Sequence, residues 1–162
     1  MAATSVASEV GAPQESARPR TSARHKARKH ALDILFESDI RDTDPLLTLE
    51  ERVTIDVTVR ELTSDIVKGV REHWGDINDA VSERLADGWT LDRMPRVDRV
   101  IARIAANELL YTTTEPNVVM SEAVLLAAEL STDESPAFIN AVLHGLANPR
   151  PEDVHAVENP QL

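Results

Sequence analysis

The chain lacks cysteine altogether, and only 3% of its 162 residues are aromatic. Without thiols it can form neither disulfides nor thiolate metal sites. Long apolar stretches are also missing, because the longest run covers only residues 123–128 and the first 22 residues hold no hydrophobic signal-peptide core. We therefore expect a cytoplasmic protein that has no membrane partner.

The scarcity of aromatic residues leaves the core to alanine, leucine, valine and isoleucine, a composition that favours helices over a β-sandwich or barrel. Hydrophobic residues make up 42% of the chain, which is enough for one compact unit. Small or apolar residues recur at helical spacing through the middle of the chain, beginning with Ala27, Ala31, Ile34 and Leu35. The pattern predicts an all-α domain of about seven helices over residues 24–148.

Turn and capping residues divide this pattern into segments. Residues 46–52 predict a short second helix and residues 58–74 a third, which Gly75 ends; Asp76 then caps a fourth. Three later helices each have a proline near their start, at Pro95, Pro116 and Pro136. In the sixth helix, the side chains predicted to pack inward are Val124, Leu125, Ala128 and Leu130.

The remaining segments show no helical period. Residues 53–60 alternate like a strand, but a lone strand has nothing to pair with, so they are interpreted as a loop and a helix start. Residues 1–23 carry prolines and small polar residues, which predicts a disordered basic N-terminal arm, and residues 149–162 predict a disordered tail.

Signatures of catalysis are missing too. The five glycines are dispersed, no HExxH pair occurs, and no GxSxG elbow exists. The cluster Asp133, Glu134 and Ser135 precedes a predicted helix, which favours capping over a paired-carboxylate site. We expect no enzymatic activity, no cofactor and no metal.

Acidic residues outnumber basic ones by 28 to 17, yet residues 16–32 contain no acidic residue. Arg24, Arg28 and Lys29 are spaced to share one helix face, opposite the apolar stripe that contains Ala27 and Ala31. A polyanion would therefore bind here. The alternative, a merely solvated helix start, remains open at this point. The basic residues are Arg18, Arg20, Arg24, Lys26, Arg28 and Lys29.

RNA is the polyanion that fits this segment best. The helix continues with Asp33, Glu37 and Asp39 and lacks a strongly lipophilic face, which argues against a membrane surface. Duplex DNA fits less well, because no basic second helix of a helix-turn-helix is visible. Single-stranded RNA held through its phosphates is the remaining interpretation.

Several motifs resemble those of the NusB family of transcription antitermination factors, over about residues 24–146. The resemblance implies an all-helical protein of two small perpendicular bundles. The motifs, in order, are ARHKARKHALDILFESD, GWTLDRMPRVDRVIARIAANEL and VVMSEAVLLAAELSTDESPAFINAVL.

The resemblance also implies partners. NusB-like proteins pair with the ribosomal protein NusE, hold the boxA element of nascent rRNA transcripts, and join NusA and NusG on RNA polymerase to suppress termination. It places the RNA-binding motif on Arg24, His25, Lys26, Arg28 and Lys29.

Three further positions match sites where the family contacts partners or modulates RNA affinity: Asp98, Glu134 and Phe138. Each has a structural alternative. Asp98 lies where a carboxylate would favour a helix dipole, Glu134 could be a cap, and Phe138 could be core. We further predict that Trp89 anchors the linker between the two bundles.

Two other functions remain as alternatives. Some cytosine methyltransferases of rRNA carry a NusB-like N-terminal module, so an accessory RNA-binding module is one of them. The other is a self-associating interaction protein, a homodimer in which the basic arm serves only solubility. Burial of the RNA-binding face in a dimer would distinguish the second alternative from antitermination.

Overall fold

The computed structural model describes residues 22–55 and 61–148, and these form seven α-helices and one 3₁₀ turn, with no strand among them. The all-α prediction is confirmed. The predictions for the N-terminal arm, for residues 56–60 and for the C-terminal tail lie outside the described residues. The helices are α1 Ala23–Arg41, α2 Pro45–Ile55, α3 Glu61–Glu72, α4 Trp74–Ser82, α5 Arg96–Tyr111, α6 Pro116–Leu130 and α7 Ser135–Ala147, and the 3₁₀ turn is Leu91–Arg93.

Local capping determines where the first helices begin and end. The Ser22 side chain accepts a hydrogen bond from the His25 backbone and starts α1, and Asp42 ends α1 in the left-handed region at φ 52°. Asp44 then accepts from the Leu46 backbone at 3.0 Å, so α2 begins at Pro45, one residue before the predicted start.

The third and fourth helices meet earlier than the sequence predicts. Helix α3 ends at Glu72, and α4 already begins at Trp74. His73 separates them at φ −103° and ψ 24°, outside the helical region. Gly75 therefore lies in the first turn of α4, and the prediction that it ends the third helix is wrong.

Helix α5 is the centre of the fold. Helices α1, α2 and α3 contact one another, and α6 packs on α7, while α5 contacts α1, α3, α4, α6 and α7. Residues 100–108 of α5 are all buried. Since the group α1 to α3 and the pair α6 and α7 both pack against α5, the two groups share one hydrophobic core.

The inward face of α6 differs from the prediction. Its buried residues follow the spacing i, i+4, i+7, i+8, whereas Leu125, which we predicted to face inward, is 47% exposed. Helix α6 is apolar on most sides, so its hydrophobic pattern alone does not determine which side packs against α5. The buried residues are Val119, Ala123, Leu126 and Ala127.

A carboxylate links α1 to α2. Arg52 Nη2 donates to Glu37 Oε2 at 2.6 Å, and Arg41 Nη1 donates to Glu37 Oε1 at 3.2 Å. The hydrogen bond from Arg52 outweighs partial burial and lowers the pKa of Glu37. A lowered pKa contributes stability above the ordinary value, and this stability is lost as the pH falls through the lowered pKa.

We expect Arg52→Gln to raise the pKa of Glu37 towards its ordinary value. At a pH above that ordinary value, the substitution should remove at most about 1 kcal/mol of stability, because the pair is partly solvated. An NMR titration of the Glu37 carboxyl carbon measures the change. Arg41→Gln is the matched control and should raise the pKa less, since its hydrogen bond is longer. An unchanged pKa in Arg52→Gln would contradict the assignment.

Candidate RNA and partner interface

The basic segment forms the first two turns of α1, and its side chains divide into an exposed and a buried set. Arg24, Lys26 and Lys29 are exposed, whereas His25 and Arg28 are each only 2% exposed. Five sequence neighbours that the resemblance assigns to RNA therefore face two different environments.

Arg28 does not lie on the exposed face, and the prediction that it does is wrong. Its Nε donates to Glu108 Oε2 at 3.0 Å and its Nη2 to Glu108 Oε1 at 2.7 Å, a bidentate pair between α1 and α5. Burial lowers the pKa of Arg28, but the hydrogen bonds and negative charge of Glu108 outweigh it and leave the pKa raised. The guanidinium therefore fastens α1 to the central helix.

His25 also points into the protein, between two carboxylates of α6. Its Nδ1 lies 2.6 Å from Glu122 Oε2, and its Nε2 lies 2.9 Å from Glu129 Oε1. Both ring nitrogens donate at once only in the doubly protonated imidazolium, so this geometry suits a cationic side chain. His25 binds α1 to α6 instead of facing solvent.

The exposed basic residues Arg24, Lys26 and Lys29 are the ones available to bind an anionic ligand. Lys29 Nζ lies 3.6 Å from Glu129 Oε2, a solvated pair of small energy. Arg24 lines a shallow hollow of about 370 Å³ with the acidic residues Glu61 and Asp65 of α3. Among the described residues, neither Arg24 nor Lys26 has an ion-pair partner, so both charges are accessible to phosphate.

Asp98 is buried in the first turn of α5, only 2% exposed. Its two oxygens accept hydrogen bonds from Ser131 Oγ at 2.5 Å and Ser135 Oγ at 2.9 Å. These hydroxyls belong to the junction between α6 and α7. Asp98 therefore holds that junction against α5, which is a structural role different from the dipole effect considered above.

Glu134 and Phe138 lie beside Asp98 in a small cavity of about 130 Å³, which Trp89 also lines. The Phe138 ring is half-buried, with its centroid 5.8 Å from that of Trp89. Glu134 is exposed, and its side chain makes no capping hydrogen bond to α7, so the capping prediction for Glu134 is wrong. The three positions implied by the resemblance thus share one pocket.

The carboxylates that hold the buried Arg28 and His25 side chains were not predicted from the sequence. Glu108 is a lone acid within the apolar stripe of α5, and this was the available signal for a buried partner. Glu122 and Glu129 are spaced i, i+7 on α6, a spacing that places them on one face towards α1.

Within residues 22–55 and 61–148, no helix is long and apolar enough to cross a membrane, and no three His, Asp or Glu side chains come together as metal ligands.

Comparison with known proteins gives a consistent result. The NusB family model matches residues 25–148. The NusB antitermination protein of Acidothermus cellulolyticus is 51% identical over 123 residues, which cover 75% of this chain and 84% of that one. The Nocardioides sp. protein of the same name is 43% identical over 80% of this chain and 97% of its own. The NusB antitermination protein of Cutibacterium acnes is 47% identical over 123 residues, which cover 75% of this chain but only 47% of that longer protein.

Solved structures agree in fold. T. maritima NusB superposes with a TM-score of 0.71 at 28% identity, covering 85% of this chain and 99% of that one. A NusB chain in complex with NusE and double-stranded RNA superposes with a TM-score of 0.68 at 23% identity, covering 78% and 98%, and supports the fold alone. On the family match and these relatives, the chain belongs to the NusB family.

Proposed function

We propose that this protein is a transcription antitermination factor that acts in the cytoplasm by holding the boxA element of nascent rRNA transcripts together with NusE. The observation that carries the proposal is the start of α1, where exposed Arg24, Lys26 and Lys29 project from an otherwise acidic protein of net charge −11. Family membership supplies the RNA and the partner. NusA, NusG and RNA polymerase would be engaged indirectly, and no catalytic step is involved.

The buried and exposed basic residues have different roles in this proposal. Arg24, Lys26 and Lys29 contact RNA phosphates, whereas His25 and Arg28 position the helix start through Glu122, Glu129 and Glu108. This positioning matters because three long side chains on a fraying helix end would lose more conformational entropy on binding RNA than the same side chains on a helix end that is already fixed. Together these residues make up the motif that the resemblance assigns to RNA: Arg24, His25, Lys26, Arg28 and Lys29.

The cavity beside Asp98 suits the protein partner better than the RNA. Trp89 is 49% exposed, and together with half-buried Phe138 it offers an aromatic surface next to the exposed Glu134 carboxylate. Aromatic anchors with a polar rim are typical of protein interfaces. We assign this pocket to NusE, and the carboxylate of Glu134 repels phosphate from it.

The test is fluorescence anisotropy of labelled boxA RNA against a scrambled RNA, with and without NusE, at two salt concentrations. Arg24→Glu with Lys26→Glu should weaken boxA binding roughly tenfold for each position, about 1.4 kcal/mol each. The slope of log affinity against log salt should fall by about 0.7 for each lost phosphate contact. The matched control is Lys68→Glu, an exposed lysine on α3.

Three results would count against the proposal. They are equal binding to boxA and scrambled RNA, no tightening with NusE, and the same loss in Lys68→Glu as in the double variant. Sedimentation of the RNA-free protein separates the remaining alternative, because a homodimer that covers Arg24 would bind RNA only after dissociation. Circular dichroism should show that the double variant keeps its helices, since both side chains are exposed.

A further inference from the structure

A larger cavity, of about 420 Å³, shares no lining residue with the hollow beside Arg24 or with the pocket assigned to NusE. It is bordered by the end of α1, the connection to α2, the junction of α3 and α4, and the middle of α5. Asp42 at its edge lies 18 residues beyond Arg24, about 27 Å along the axis of α1 at 1.5 Å per residue. The volume is in the range of ligand-binding clefts, and the proposed function leaves it unused.

Arg103 provides an unsatisfied donor at this cavity. The residue is 7% exposed, its Nε donates to Asn78 Oδ1 at 2.8 Å, and its guanidinium carbon lies 4.1 Å from the centroid of the Trp74 ring. Its Nη1 is buried without a hydrogen-bond partner among the described residues; Asp39 Oδ1 is 3.9 Å away. A buried donor left unpaired costs free energy, which an acceptor entering the cavity would recover.

The environment of Arg103 adds to this cost. Burial and the nearby positive charge of Arg99 together lower the pKa of its guanidinium to about 10, although the carboxylates of Asp39 and Asp92 raise it in part. An oxygen acceptor at Nη1 would therefore stabilise a cation that the fold itself leaves under-compensated.

The walls of the cavity are apolar. Leu35 of α1, Val70 of α3 and Val100 of α5 are buried beneath it. Trp74, the first residue of α4, is 40% exposed at its edge and presents an aromatic surface. An apolar side chain that enters here would lie against these residues and lose contact with water.

The rim of the cavity is acidic. Asp44 is paired with Arg71 at 3.3 Å and also caps α2. Asp42 is exposed, and among the described residues its carboxylate has no ion-pair partner. A ligand therefore meets a negative charge at the mouth and a hydrogen-bond donor at the base, which favours a ligand that carries a cationic group beside an uncharged oxygen acceptor.

We propose that this cavity docks a basic peptide segment of a protein partner. An apolar side chain of the segment packs on Trp74, a backbone carbonyl accepts from Arg103 Nη1, and an adjacent lysine or arginine pairs with Asp42. A peptide supplies all three groups within two residues. The net charge of −11 steers such a partner to the surface, and nucleic acid is repelled by the same rim.

The probe is a capped hexapeptide of alternating leucine and lysine, titrated into the ¹⁵N-labelled protein. We expect saturable binding below about 1 mM, with shifts of the Trp74 indole and Arg103 Nε signals. Asp42→Asn should weaken binding about tenfold, whereas Asp79→Asn, the same change on an exposed face of α4, should leave it unchanged. Ser38→Leu, which fills the cavity from α1, should abolish it.

Two further peptides show which features matter. Replacing lysine by glutamate, or leucine by serine, should each abolish the shifts. The proposal is overturned by binding of the serine peptide equal to that of the leucine peptide, by binding that survives Ser38→Leu, by equal shifts with acetate alone, or by no saturable binding. Because Asp42→Asn and Ser38→Leu should both keep boxA affinity, failure here is separable from failure of the RNA proposal.

Discussion

Replacing Glu108 with alanine is expected to lower the free energy of unfolding by about 3–5 kcal/mol, the typical cost of breaking a buried ion pair by removing one partner. The substitution leaves the Arg28 guanidinium buried at 2% exposure with two hydrogen bonds lost. Urea denaturation followed by circular dichroism measures the loss.

The controls for Glu108→Ala separate pairing from burial. Arg28→Met combined with Glu108→Leu should recover most of the stability, because apolar residues of similar volume often replace a buried pair at little cost. Glu50→Ala, an exposed acid on α2, should change stability by less than about 0.5 kcal/mol. A loss below about 1 kcal/mol in Glu108→Ala would mean that the pair contributes little.

This result bears on how Arg28 is tested for RNA binding. A charge reversal at Arg28 places a carboxylate against Glu108, so it should unfold or loosen the start of α1. Weaker RNA binding in that variant would report stability and not a phosphate contact. Arg24 and Lys26 are the positions at which binding can be measured without this effect.

Asp98→Ala is expected to cost about 3 kcal/mol, because two hydrogen bonds to a buried carboxylate are lost at once. The Ser131 and Ser135 hydroxyls would lose their acceptor, and the junction of α6 and α7 would detach from α5. Thermal and urea unfolding should both show the loss. NusE binding should weaken as well, since the cavity that contains Trp89 and Phe138 depends on this junction.

A double-mutant cycle tests the origin of that loss. With Ser131→Ala and Ser135→Ala already present, Asp98→Ala should cost clearly less, because the partners are no longer there. Glu134→Ala is the control at the same cavity: its side chain caps nothing, so stability should hold while NusE binding weakens. An undiminished cost of Asp98→Ala in the serine background would contradict the hydrogen-bond explanation.

Much of the fold could be predicted from the sequence, because each helix has a local signal. The apolar period from Ala27 to Leu35 and the early prolines of α6 and α7 locate helices without knowledge of their neighbours. The orientation of α6 was missed, since a helix with apolar residues on most sides can bury several faces. Only its packing on α5 and α7 selects the face with Leu126.

The candidate site was less predictable than the fold. Sequence spacing places Arg24 and Arg28 on one face of α1, but whether a face is exposed depends on what packs against it. Glu108 is 80 residues away along the chain, so no local pattern reveals its pair with Arg28. The same applies to His25, whose partners lie on α6.

Helix α5 holds the start of α1, the proposed RNA site, through Glu108, and the pocket with Phe138, the proposed NusE site, through Asp98. These two residues are ten positions apart on one continuous helix, about 15 Å at 1.5 Å per residue. A straight helix of this length does not stretch, so the separation between its two attachment points is constant. If RNA and NusE bind at the two proposed sites, a single helix sets the spacing between them.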